Sequence, residues 1–134
     1  MNQALEYMAN LHSTLANDYK TSDGKHGENC THIALDIAER LLAEGKAPYV
    51  AGIQGKLIDS INRDEIFPKL FEGRISWGKH QVCCDNGLAY DPMIASEPVA
   101  IDDYCKMAFE GEVEMDVLIA QNEIIEFIER RSHN

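Results

Sequence analysis

The sequence predicts an α+β domain, and three observations carry that expectation. The first 44 residues hold two stretches with apolar positions at helical spacing. Residues 75 to 94 switch to period two around an Asn-Gly pair, and the last stretch, "QNEIIEFIERR", returns to helical spacing. With 134 residues the chain has the length of one domain. That domain divides into an N-terminal helix within 1–20, a core over about 25–120 and a C-terminal helix over about 121–131.

Along the chain, Leu5, Met8, Leu11 and Leu15 recur at helical spacing over residues 3 to 19, with Asn2 as the N-cap. "KTSDGKHGEN" is polar and carries two glycines, so it reads as a loop. A second helix is expected over 30–44. Ile33, Ile37 and Leu41 form one row, Ala34, Ala38 and Leu42 the next, and Gly45 supplies the stop. Its wide apolar face predicts a helix packed into the core.

Residues 46–74 are the least legible. "APYVAG" reads equally as a short strand or a turn, "GKLIDSINRDE" as a short helix, and Pro68 interrupts "IFPKLFEG". From residue 75, "ISWGKHQVCC" and "LAYDPMI" flank Asp85-Asn86-Gly87. Asn-Gly is a strong hairpin signal because both central residues of a type I′ turn need positive φ. Pro92 ends the second strand or confines it to an edge. "IDDYCKMAF" then reads as a short helix with acidic residues in its first turn, "EVEMDVLI" as a strand, and the C-terminal helix closes with basic residues.

Composition excludes several classes of function. There are 23 Asp and Glu against 12 Lys and Arg, a net charge of −11, and no basic stripe interrupts that field. Nucleic acid is therefore not an expected partner. No apolar run is long enough to cross a membrane, and the N-terminus has neither a basic n-region nor an apolar h-region. The expected location is cytoplasmic, with free thiols at Cys30, Cys83, Cys84 and Cys105. No cofactor is expected.

The chemistry centres on Cys30. With Asn29 as N-cap, Cys30 opens the second helix, where free N–H groups and the helix dipole favour a thiolate. A two-residue turn at Asn86-Gly87 sets Asp85 opposite Leu88, Cys84 opposite Ala89, Cys83 opposite Tyr90 and Val82 opposite Asp91. His80, Val82 and Cys84 then share one face of the hairpin with Asp91. Diagonal neighbours lie about 7–8 Å apart, so Asp91 can hold the His80 ring while its other nitrogen serves the thiol. A slip of one residue would turn Asp91 to the other face.

This order, Cys30…His80…Asp91, with "ENCTHIALDIAERL", "WGKHQV" and "LAYDP", resembles the papain-like cysteine peptidase fold. It is most similar to the small bacterial members, including papain-fold toxin domains, over roughly residues 25–110. The resemblance implies a nucleophile helix packed on an antiparallel sheet. It implies Cys30 as nucleophile, His80 as general base and acid, and Asp91 as the group orienting His80. The backbone N–H of Cys30 would help hold the oxyanion.

Two features depart from the family pattern. The Cys-Gly-Ser/Ala-Cys-Trp/Tyr signature is absent, and no glutamine stands a few residues before Cys30. Asn29, His26 and Gln54 are left as alternative oxyanion donors. The expected activity is attack on an amide or ester carbonyl of a peptide or protein substrate, with peptide hydrolysis ahead of deamidation and acyl transfer.

Blander readings stand beside these. The same scaffold can serve as a non-catalytic binding or regulatory module. His26, Cys30 and His32 suggest a metal site, although their spacing is not that of structural zinc. Trp77 near the histidine reads as cleft or core, and Tyr90 and Tyr104 carry no functional claim. The sequence gives no oligomeric state.

Overall fold

The computed structural model describes residues 3–18, 30–55, 66–69, 80–111 and 113–132. Helix α1 spans Gln3–Asp18 and α2 spans Cys30–Ala43. Strand β1 (Tyr49–Gly55) and the two-residue β2 (Phe67–Pro68) follow, then β3 (His80–Asp85), β4 (Leu88–Tyr90) and β5 (Val99–Ala100). Helix α3 is Ile101–Ala108, β6 is Phe109–Glu110, β7 is Val113–Ile119 and α4 is Gln121–Ser132. Among the described residues this is an α+β fold with four helices. Its main sheet has five antiparallel strands in the order β5-β4-β3-β1-β7, and β2 pairs with β6 in a separate ladder. None of the described helices is long and apolar enough to cross a membrane.

Strand alternation sorts the core onto two faces of the sheet. On one face Val50, Cys83 and Tyr90 meet Ala4 and Met8 of α1, Ala34, Ile37, Ala38 and Leu41 of α2, and Ile124 of α4. On the other, Ala51, Ile53, Val82, Cys84 and Ala89 meet Met93, Tyr104, Ala108 and Phe109. Cys83 and Cys84 therefore point to opposite faces, as adjacent strand residues must, and all four cysteines are free thiols. Ile37 and Leu41 are fully buried, and truncating either to alanine costs about 2–5 kcal/mol.

Helix α2 ends where its glycine predicts. Gly45 has φ +83°, its N–H bonds the Leu42 carbonyl at 3.0 Å, and the Lys46 N–H reaches back to Leu41 at 3.0 Å. That pair of bonds is a Schellman cap. It turns the chain directly into β1, so an interior strand of the sheet follows α2 after a short link.

Several sequence expectations are sharpened. Of the ambiguous "APYVAG", Tyr49 to Gly52 are strand and form the first part of β1, which lies between β3 and β7. Helix α3 stops at Ala108, one residue early, because Phe109 adopts an extended backbone and starts β6. Pro68 sits in the short β2 ladder, where the missing N–H is tolerated at an edge. The expected loop before Cys30, the caps Asn2 and Asn29, the helix within 56–65, and the start of the strand at 75–79 lie outside the described residues.

Candidate functional site

The β3–β4 hairpin positions two of the three expected residues. Asn86 (φ +51°) and Gly87 (φ +78°) both occupy the left-handed region required by a type I′ turn. The register follows: Asp85 faces Leu88, Cys84 faces Ala89 and Cys83 faces Tyr90. Strand β4 ends at Tyr90, so Asp91 leaves the ladder at the start of a turn. Its Oδ1 accepts the Met93 N–H at 3.0 Å, and its carbonyl accepts the N–H groups of Ile94 and Ala95. Helix α1 pins the same turn, because His12 Nδ1 donates to the Pro92 carbonyl at 2.8 Å.

Held this way, Asp91 meets His80. Oδ2 lies 2.8 Å from His80 Nε2, and the two residues are 4% and 1% exposed. The Tyr104 hydroxyl donates to the same carboxylate oxygen. Tyr104 comes from α3, whose first N–H, at Ile101, bonds the Gly87 carbonyl at 3.0 Å and so ties the helix to the hairpin turn. The Phe109 ring lies edge-on to both His80 (5.8 Å between centroids) and Tyr104 (6.1 Å). A buried carboxylate with three donors and an imidazole wedged by an aromatic ring form a preorganised unit.

The electrostatics follow from the same contacts. Burial pulls the His80 pKa down, but the Asp91 charge and hydrogen bond, with a further contribution from Cys30, raise it to about 9. Tyr104 is held well above its ordinary value, first by burial and then by Asp91.

Cys30 opens α2 and is 8% exposed. Burial pushes its thiol up, yet hydrogen bonding and charge from His80, the Gln81 backbone N–H and the Thr31 hydroxyl outweigh burial, and the pKa falls below the ordinary value. The other three thiols move the opposite way. Burial raises Cys83 and Cys105 and lifts Cys84 to about 12. Cys30 is therefore the one cysteine of the chain with an environment that favours thiolate.

Thr31 and Gln81 are additions that sequence reasoning did not make. Thr31 Oγ1 donates to Gln81 Oε1 at 2.8 Å, across 50 residues of chain. That bond fixes the Gln81 amide beside the helix start. Gln81 also lines a cavity of about 130 Å³ with Gly52, Gln54, His80, Asp116 and Leu118. Gln54, one of the expected oxyanion donors, is thus at the cavity, whereas Asn29 and His26 lie outside the described residues.

Trp77 also lies outside the described residues, as does His26 of the metal reading, and His32 is exposed on α2. Among the described residues no three His, Cys, Asp or Glu side chains are grouped to hold a metal ion. Comparison of the chain with protein-family models, with curated proteins and with solved structures gives no match.

Proposed function

We propose that this chain is a cysteine-dependent acyl-transfer enzyme on a papain-like scaffold, with Cys30 as nucleophile, His80 as base and acid, and Asp91 as the orienting group. One observation carries the reading. The only thiol lowered in pKa interacts with a buried histidine whose far nitrogen is fixed by a carboxylate. With His80 raised and Cys30 lowered, the pair favours thiolate and imidazolium near neutral pH.

The thiolate attacks a carbonyl carbon, and the carbonyl π electrons move onto oxygen. The N–H groups at the start of α2 face that developing charge. His80 then passes its proton to the departing amine or alcohol, the C–N or C–O bond breaks, and a thioester remains on Cys30. Water gives a proton back to His80 as it adds to the thioester, and collapse expels the thiolate and the acid. An amine acceptor in place of water gives acyl transfer instead. Peptide hydrolysis is the preferred form of this chemistry.

The test is trapping on the intact protein. Incubation with peptide and ester substrates should add an acyl mass to Cys30 that hydroxylamine removes, and Cys30→Ala should abolish both the adduct and turnover. Full turnover by Cys30→Ala would refute the assignment. The 8% exposure of Cys30 favours the alternative, a binding module that keeps the scaffold without catalysis. In that case substrates would leave no adduct, and iodoacetamide would modify Cys30 no faster than Cys105.

A further inference from the structure

The cavity beside Gln81 is formed on the sheet and is linked to the start of α2 by the Thr31–Gln81 bond. Its floor is β1 at Gly52, and its walls come from β3 and β7. A Cβ on residue 52 would meet Leu118 at 3.6 Å, an ordinary van der Waals contact, so Gly52 and Leu118 lie side by side on that floor. Leu118 is one half exposed and the neighbouring Val117 is 63% exposed, so the apolar wall faces solvent. Gln81 connects the cavity to Cys30, since its amide is fixed by Thr31 and its N–H faces the sulfur.

The exposed charge along the β7 wall is negative. Asp116 pairs with Gly52 and Glu114 pairs with Gln54, so both carboxylates stand on the cavity side of β7, and both are exposed. Among the described lining residues the basic group is His80, which is buried and paired with Asp91, whereas Asp116 carries its charge exposed. An apolar trough ending at a carboxylate fits a side chain with a hydrocarbon stem and a cationic head. The net charge of −11 steers molecules of the same kind toward the surface.

The geometry points to a substrate class: acyl donors with a lysine or arginine side chain, read by Asp116 while Gly52 and Leu118 hold the stem. This inference rests on the acyl-transfer reading for its chemistry. Its binding step can be measured apart from that chemistry.

The experiment uses full-length Cys30→Ala protein and three fluorescent peptides that differ at one residue, lysine, norleucine or glutamate. Fluorescence anisotropy at low salt should rank lysine about fivefold tighter than norleucine, with glutamate weakest. Asp116→Asn should bring the lysine-to-norleucine ratio close to one, and added salt should do the same to the parent protein. Equal binding of the lysine and norleucine peptides overturns the inference. So does an Asp116→Asn variant that weakens all three peptides alike. The same peptides given to protein with Cys30 intact separate the two proposals. A retained charge preference without any thioester supports the groove assignment and overturns acyl transfer alone.

Discussion

Replacing Asp91 with asparagine keeps the shape of the side chain and removes its charge. In the parent protein His80 titrates at about 9 against an ordinary 6.5, because the carboxylate outweighs burial. That gap corresponds to about 3 kcal/mol, at 1.36 kcal/mol for each pH unit. A raised folded-state pKa contributes stability that is complete below the unfolded value. Stability is then lost as pH rises through the folded value. Between about pH 6 and about pH 9.5 the parent should therefore lose about 2–3 kcal/mol from this group. In Asp91→Asn burial dominates, the His80 midpoint drops below 6.5, and the slope reverses, so the variant loses stability toward acid.

Urea unfolding at the two pH values measures the slope. Long-range 1H–15N spectra of the imidazole nitrogens measure the midpoint directly. Both are best done in a Cys30→Ala background, where the thiol does not titrate. A His80 midpoint near 6.5 in the parent would refute the argument, as would one still near 9 in Asp91→Asn.

At about pH 7.5 Cys30 should react with iodoacetamide at least about tenfold faster than the more exposed Cys105, by peptide mapping. The reverse order would contradict the lowered thiol. Tyr104→Phe keeps the ring against Phe109 but removes a donor to a buried carboxylate. It should cost about 1–3 kcal/mol in urea titrations and raise the His80 midpoint, since the Asp91 oxygen then serves the imidazole alone. Gly87→Ala forces a side chain into φ +78° and should cost about 1–2 kcal/mol by denaturant midpoint. Thr31→Val should cost about 1 kcal/mol in the same titration and raise the Cys30 thiol pKa, read from the pH dependence of alkylation.

What the sequence makes legible is local. The period-two pattern and Asn86-Gly87 give the hairpin register, and with it the meeting of His80 and Asp91, because turn type dictates which residues face each other. Gly45 gives the end of α2 for the same kind of reason. Strand β1 is harder to recognise. In "YVAGIQG" the adjacent Val50 and Ala51 are both buried, and two glycines carry no side chain, so the residue types do not spell out the alternation.

Tyr104 escapes sequence reasoning because its contact depends on how α3 docks, through a bond from Ile101 to the hairpin turn. Gln81 escapes for a geometric reason. It lies on the face of β3 opposite His80, and a strand argument discards it. Helix α2 starts at the end of that strand, where Cys30 and Thr31 reach residues from both faces.

Strand β7 ends the described sheet, so one side of it presents backbone groups that no further described strand pairs. Such an edge invites another chain to add itself, all the more when Val117 and Leu118 stand exposed along it. The register shift at Val50/Ala51 disrupts the regular pairing, and Glu114 and Asp116 add repulsion between two copies. The carboxylates assigned above to substrate choice are therefore also guards against self-association. Engineering the groove to accept neutral side chains by removing them should make the protein more prone to form strand-paired aggregates.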